Sequence, residues 1–450
     1  MTEKVRFIHA ADMHLGSILS VACEGMPHHM EERFQDAVFE AYRRICKAAI
    51  DYKVNFLVLS GDVYEGEMRS VKADQVFVEQ CQELEKQGIS VFVIAGNHDP
   101  LNSRIGGQYY VLPGNVYYFD SEEVKVEEIQ DEESHLIARI LGQSYRTKAE
   151  SRKMYSSYTP PDADVPNIGL LHSQLDPNNR SYVPCSLGDL LSKKDIHYWA
   201  LGHIHKCRIL NEQNPVVAYP GIPQGRDFGE EKVGGCLLVD LYASDKIELS
   251  FLPTSPLIWY RIEVDIGADP ANSPGNLEDV KNLIIKAGEE FLSREMDIPE
   301  GLSVPAEWTS GIVEGYIVQW ILCGRGEIHE LLNEDEEVAD NLTSELRRHF
   351  KDQQPFIWTD SVVVRTLPDL PALSAFKNMS GIGQEIENVL QSEEFRDRVQ
   401  KEFGDIWEMK IDHENVNEIK FQVDEETYAE ILNQAVNLII EKTLERGEGA

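Results

Sequence analysis

The chain has 450 residues, of which 42% are apolar and 9% aromatic, so it can bury the cores of two or three domains, and disorder is not expected as its main state. Its formal net charge of −36 argues against a broad face that holds nucleic acid by neutralising phosphates; a polyanionic substrate would have to be gripped locally. No stretch approaches the roughly 18 uninterrupted apolar residues of a membrane span, the first residues lack the pattern of a secretion signal, and the seven cysteines, with no Cys-x-x-Cys pair, fit neither a disulfide framework nor a thiolate zinc site, which points to a cytoplasmic protein that does not engage a membrane.

From residue 5 to about 255, short apolar runs alternate with longer amphipathic stretches, the pattern of an α/β domain. "VRFIHAAD" is a strand ending at Asp12. Residues 30–53 follow, with Phe34, Val38, Ala41, Tyr42, Ile45 and Ala49 at helical spacing. "VNFLVLSGD" is a strand ending at Asp62, and "VKADQVFVEQCQELEKQG" predicts a helix that Gly88 stops in the left-handed conformation. "SVFVIAGNHD", "NIGLLHS" and "HYWALGHIH" are strands that end around Asn97, at His172 and at His203. "VVAYPG", "GGCLLVDLYA" and "DKIELSFLP" predict a second, more antiparallel sheet. The Pro-rich "LPTSPL" marks a boundary near 255. Beyond it, the order strand, helix (about 276–295), strand, helical stretch (327–350), strand describes a small α+β domain over 256–368. Residues 369–450 read as mainly helical, with a short hairpin near "WEMKIDHENVNEIKFQV".

Taken singly, a polar residue after a strand has an ordinary explanation: an Asp is usually a turn or cap residue, and a His is usually hydrogen-bonded packing. Five such ends in succession are harder to dismiss, because open α/β sheets collect functional groups beyond the carboxyl ends of their strands. Asp12 with His14, and His203 with His205, are two residues apart, so on extended backbone each pair would point one way and offer two donors. Gly61, Gly96 and Gly202 precede donors where a missing Cβ permits close backbone approach. Asp12, His14, Asp62, Asn97, His172, His203 and His205 exceed one tetrahedral site and suit two divalent ions with a bridging carboxylate. Two such ions bring +4 against −2 from the carboxylates, and an excess of about +2 would hold a phosphate in an acidic protein. The mixed nitrogen and oxygen donors admit manganese, iron or zinc.

The blocks "DMH", "SGD", "GNHD" and "GHIH" resemble, in order, the signature of calcineurin-like metallophosphoesterases. "FIHAADMHLGS", "GDVYEG" and "YPGIPQGRDFGE" are similar to SbcD-type DNA exonuclease subunits and, more loosely, to YhaO-type repair exonucleases. The resemblance covers about 1–255 and implies an α/β/β/α sandwich, with 256–368 as a capping domain and 369–450 as a helical tail that docks a partner. It implies Asp12, His14, Asp62 and His205 on one metal and Asp62, Asn97, His172 and His203 on the other, with manganese as the ion. It gives His98 the scissile phosphate or the leaving oxygen, with Asp99 fixing its tautomer, and in-line attack on a phosphodiester by a metal-activated water. The implied activity is a DNA exonuclease or endonuclease in repair, paired with an SbcC-type SMC-like ATPase, with a homodimer allowed. Where the family often has an acidic residue and a histidine or serine after "GD", this chain has "VYEGEMRS" with Tyr64 and Glu65, which leaves the local substrate contacts open. Among Arg33, Arg69, Arg104, Arg180 and Arg226, the two that flank metal blocks, Arg104 and Arg226, are candidates for phosphate contacts, and a surface ion pair is the equal alternative. His9, inside the first strand, reads as core. Two other functions stay open: a phosphodiesterase of nucleotides or small phosphoesters, and a non-catalytic structural subunit of an ATPase complex.

Overall fold

The computed structural model describes residues 4–369 apart from 24, 67–69, 104–108, 132, 243–245, 270–272, 310 and 336, and beyond 369 only scattered residues up to 442. The first sheet has the order β12-β11-β1-β2-β3-β4, built from β1 (Lys4–Ala10), β2 (Phe56–Ser60), β3 (Ser90–Ile94), β4 (Val116–Tyr118), β11 (Gly235–Tyr242) and β12 (Ile247–Pro253). In it β1 to β4 are parallel, while β11 and β12 are antiparallel to their neighbours. The second sheet has the order β5-β6-β7-β8-β10-β9, from β5 (Lys125–Gln130), β6 (Leu136–Gly142), β7 (Asn167–His172), β8 (Tyr198–Gly202), β9 (Arg208–Asn211) and β10 (Val216–Tyr219). Its four central strands are parallel and its two edges antiparallel.

Alternation along the strands makes three apolar layers. Ile8, Ala10, Leu57, Leu59, Val91 and Val93 face α1 (His28–Asp51) and α2 (Val71–Lys86). Phe7, Phe56, Val58, Phe92 and Ile94 turn the other way, against Ile168, Leu170, Tyr198 and Ala200 of the second sheet. On that sheet's far side, Leu141, Leu171, Trp199 and Leu201 pack with Tyr158 and with Leu190 of α3 (Leu187–Leu191). The fold is thus mixed α/β, two parallel-rich sheets face to face with helices outside. The helix expected at 30–53 is α1, with Phe34, Val38, Ala41, Tyr42, Ile45 and Ala49 all buried. Ser70 caps α2 by accepting from the Ala73 amide at 3.1 Å, and Gly88, at φ +71°, ends it.

One expectation is corrected. "VVAYPG", "GGCLLVDLYA" and "DKIELSFLP" do not make a sheet of their own. β10 pairs in parallel with β8, while β11 and β12 extend the first sheet beside β1. All of β11 but its last residue is buried, which suits a strand with neighbours on both edges and layers on both faces rather than a half-exposed meander.

Farther along lie β13 (Leu257–Asp265), α4 (Leu277–Leu292), β14 (Gly315–Cys323), α5 (His329–Glu334), α6 (Glu337–Phe350) and β15 (Phe356–Val364), with the strands in one sheet in chain order. One compact unit gathers Met1–Val264, Lys281–Ile321 and Glu336–Val364; a second gathers Asp265–Val280, Leu322–Asp335 and the described residues from Arg365 on. Within the first unit, the Ala22 amide donates to Asp360 Oδ1 at 2.9 Å and Trp358 Nε1 donates to the Ala22 carbonyl at 3.1 Å, so the loop after His14 is tied to β15. Residues 435–440 are helical. Most of the tail, including the expected hairpin at 407–423, lies outside the described residues. Among the described residues, no helix is long and apolar enough to cross a membrane.

Candidate metal centre

The carboxyl ends of β1, β2, β3, β7 and β8 meet along one edge of the sandwich. The Asp12 amide donates to the Gly61 carbonyl at 3.0 Å, and the His14 amide to that of Asp62 at 3.0 Å, carrying the β1–β2 ladder past its last strand residues. The two sheets are pinned across this edge. The His203 amide donates to both Asp12 carboxylate oxygens at 3.0 Å, and His172 Nδ1 lies 2.9 Å from the Ser60 carbonyl oxygen.

The donors do not converge through extended backbone as expected. Asp12 (φ 54°), His14 (φ 46°), Asp62 (φ 51°) and His203 (φ 98°) all occupy the left-handed region, which an L side chain adopts at a cost of about 1–3 kcal/mol when its surroundings enforce it. The polypeptide bends at these four donors so that their side chains turn into the edge, whereas His172 reaches it from the end of β7. Space is correspondingly tight at the three glycines. A Cβ on Gly61 would lie 2.9 Å from His172 Cγ, one on Gly96 would lie 2.8 Å from the Asp62 amide nitrogen, and one on Gly202 would lie 2.8 Å from His172 Nδ1.

Donor atoms gather in groups within 4.8 Å: Asp12, His14 and His205; Asp62, His172 and His203; and His14, Asp62 and His98. Asn97 adds its amide oxygen, Oδ1, 3.0 Å from His172 Nε2 and 2.9 Å from His203 Nδ1. A carbonyl only accepts, so the His172 proton sits on Nδ1 toward Ser60, and the Nε2 lone pair faces Asn97 Oδ1 and, at 3.3 Å, Asp62 Oδ2. On the other side, Glu65 Oε2 lies 3.0 Å from His14 Nδ1, and Glu230 Oε1 lies 2.6 Å from His205 Nδ1, while the two Nε2 atoms stand 3.3 Å apart. With both Nδ1 atoms donating to carboxylates, those two lone pairs also oppose each other. Acceptors turned toward acceptors in a buried place repel unless a cation lies between them, so the residues present fit metal ions.

The electrostatics agree. Burial works to lower the His172 pKa, and the neighbouring Asp62 carboxylate outweighs it and carries it up to about 9, the mark of a place that favours positive charge beside Nε2. Burial, with His172, pushes His203 down to about 3. Burial works to raise the Asp62 carboxyl, and His172 outweighs it and holds that group below the ordinary range.

His98 is more open than His205, whose side chain is 27% exposed, and far more open than His14 and His172. Its side chain is 39% exposed where those of His14 and His172 are 0%, so it alone of the three offers a face to an incoming molecule. The partner expected for it is corrected. Asp99 does not touch the His98 ring: its Oδ1 accepts from the Gly96 amide at 2.8 Å and its Oδ2 from the Val63 and Tyr64 amides at 2.9 and 3.3 Å, stapling the loops after β2 and β3 together. The carboxylate at His98 Nδ1 is Glu65, at 2.7 Å, and this contact raises the His98 pKa. A buried carboxylate flanked by three backbone amides satisfies those amides before it can reach a side chain.

Arg226 is 81% covered and engages Glu230 and Glu65. Arg33 and Arg180 are exposed, and Arg69 and Arg104 lie outside the described residues. His9 is buried, its Nε2 3.1 Å from the Leu201 carbonyl oxygen and its Nδ1 2.9 Å from the Tyr198 hydroxyl, a core residue as expected. Neither Ser60 nor Glu230 was marked out by the residue pattern; the one signal for Glu230 was its place in "YPGIPQGRDFGE", four residues after Arg226.

Residues 5–207 match the family model of the calcineurin-like phosphoesterase. The metallophosphoesterase YhaO of Bacillus subtilis (strain 168) is 35% identical over 271 residues, 59% of this chain and 64% of that one. The DNA double-strand break repair protein Mre11 of Methanocaldococcus jannaschii is 26% identical over 223 residues, 48% of this chain and 55% of that one. A solved dimetal phosphatase from Danio rerio aligns with 55% of this chain and 95% of its own at 11% identity, with a TM-score of 0.35, too low to weigh. The chain therefore spans between half and two-thirds of the length of these two curated relatives.

Proposed function

With a calcineurin-like phosphoesterase domain at residues 5–207 as the premise, we propose that the chain is a two-metal phosphodiesterase that cleaves DNA in repair, works in the cytoplasm and is served by an SMC-like ATPase of the SbcC type. The observation that carries the hydrolase reading is the set of acceptor atoms turned toward one another at the sheet edge. DNA as substrate is suggested by the relatives named for double-strand break repair.

In this reading Asp12, His14, Asp62 and His205 hold one ion, and Asp62, Asn97, His172 and His203 the other, with manganese as the expected metal. When bound, the pair activates water and balances the charge that develops on the phosphoryl oxygens. The chain's own residues do the rest. Ser60, Glu65 and Glu230 fix histidine tautomers, the left-handed turns aim the donors, and His98, held by Glu65, is placed to give a proton to the leaving oxygen. Residues 256–368 serve as a cap that orients DNA, and 369–450 dock the ATPase, or a second copy of the chain.

The net charge of −36 favours one competing reading, hydrolysis of small phosphoesters, because such substrates need no extended basic face. Digestion of end-labelled duplex DNA, with a chromogenic phosphodiester in parallel and manganese in both, separates the two. Shortened DNA is the expected result. Turnover of the small ester alone makes the chain a small-molecule phosphodiesterase, and two bound ions with no turnover make it a structural subunit. His98→Gln is expected to lower kcat by about 10²–10⁴ while keeping both ions.

A further inference from the structure

The two carboxylates that hold His14 and His205 are themselves joined. Arg226 Nη1 donates to Glu65 Oε2 at 3.2 Å, Nε to Glu230 Oε2 at 3.2 Å and Nη2 to Glu230 Oε1 at 2.8 Å, while the Arg226 amide donates to Glu230 Oε2 at 2.8 Å. The oxygens facing the histidines are among those the guanidinium holds: Glu65 Oε2 also meets His14 Nδ1, and Glu230 Oε1 also meets His205 Nδ1. Glu65 Oε1 meets His98. One guanidinium thus stands behind three histidines. Side-chain exposures of 20%, 19% and 11% for Glu65, Arg226 and Glu230 put this chain of contacts largely out of water, where hydrogen bonds between charged groups are strongest. The Arg226 carbonyl accepts from the Ser20 amide at 2.8 Å, which fixes the backbone from which the guanidinium reaches.

We propose that Arg226 and Glu230 are positioning residues of the metal centre: Arg226 clasps Glu65 and Glu230 so that His14 and His205 keep their Nε2 lone pairs on one cation. This rests on the hydrolase reading above. Two carboxylates brought behind one ion repel each other, and a planar fork with several N–H groups answers both at once, which the single ammonium of a lysine does not. The clasp engages three of the five guanidinium N–H groups, one each on Nε, Nη1 and Nη2, and turns the fork toward the two carboxylates. In this proposal Arg226 acts on the substrate through the histidines rather than by binding it.

The test uses the full chain stripped with chelator and titrated calorimetrically with manganese alone, for wild type, Glu230→Gln, Arg226→Gln and Arg226→Lys. Inorganic phosphate is then titrated into each at saturating manganese. The clasp predicts that Glu230→Gln and Arg226→Gln weaken one of the two manganese ions by about 10–100-fold and leave the other, that Arg226→Lys recovers only part, and that phosphate affinity stays unchanged. The near-isosteric Glu230→Gln carries the test if Arg226→Gln does not fold. Two manganese ions bound with wild-type affinity in Glu230→Gln, or weakened phosphate binding in Arg226→Gln with manganese affinity intact, would overturn the clasp alone. Wild-type protein that takes up no manganese would remove the hydrolase reading and the clasp with it.

Discussion

Replacing Gly202 with alanine tests whether the seam between the two sheets sets the geometry of the candidate metal centre. Gly202 lies outside the left-handed region, so the cost is steric rather than conformational. The added Cβ would overlap the Ser60 carbonyl oxygen and lie 3.0 Å from the Ser60 carbonyl carbon and 2.8 Å from His172 Nδ1. Carbon contacts relax near 3.5–4.0 Å, so β2 and β8 must part by about 1 Å. That displacement falls on the 2.9 Å contact that keeps the His172 proton on Nδ1. Overpacking of this kind costs about 1–3 kcal/mol of stability, and a 1 Å misplacement of a reacting group costs about 10²-fold in rate. The assay is kcat on a chromogenic phosphodiester with manganese, together with bound manganese per chain and the Tm. Gly188→Ala, on α3 with nothing nearer than Ser186 Oγ at 3.8 Å, serves as the neutral control. A Gly202→Ala protein with the wild-type kcat and both ions would refute the claim that His172 depends on the Ser60 carbonyl.

Asp99→Asn should act mainly on stability. An amide has one acceptor oxygen where the carboxylate serves the Gly96, Val63 and Tyr64 amides with two, so at least one buried N–H loses its partner, a loss of about 1–3 kcal/mol by urea denaturation. An unchanged midpoint would mean that the loops after β2 and β3 are held by something else. Away from the site, burial works to raise the Asp240 carboxyl, and its two 2.7 Å hydrogen bonds from Arg6 outweigh this and hold it below the ordinary range. A depressed folded-state pKa contributes stability that is full above about pH 4 and lost as pH falls through the folded value. Asp240→Asn should therefore be about 1–2 kcal/mol less stable than wild type at pH 6, with the gap closing toward pH 3. A gap independent of pH would point to packing instead.

The parts of the fold written as local period were legible from the residues: α1 and α2 announce themselves by apolar spacing, and five strands by apolar runs that stop at a donor. Pairing partners are not local, and so β10 and β11, adjacent in sequence, were read into one sheet when they belong to two. β4 escaped because it is only three residues long, and β5 and β6 because Glu127, Glu128 and Arg139 interrupt their apolar runs; the buried Arg139 is satisfied only by contacts made after folding, at Asp162 and Glu128. The seven donors were visible because their residue types are unusual at strand ends. Glu65 stood out only as a departure from the resembled block, with no histidine assigned to it, and Glu230 not at all, because a glutamate among 78 acidic residues looks like ordinary surface until the fold sets it beside an imidazole.

The left-handed bends at Asp12, His14, Asp62 and His203 carry one more implication. Angles that an isolated peptide would shed persist here because main-chain bonds to Gly61 and Asp62, and the His203 amide on the Asp12 carboxylate, over-determine them. Aim at this edge is thus a property of the whole sandwich, and a substitution that loosens the packing between its sheets would misdirect donors it never touches.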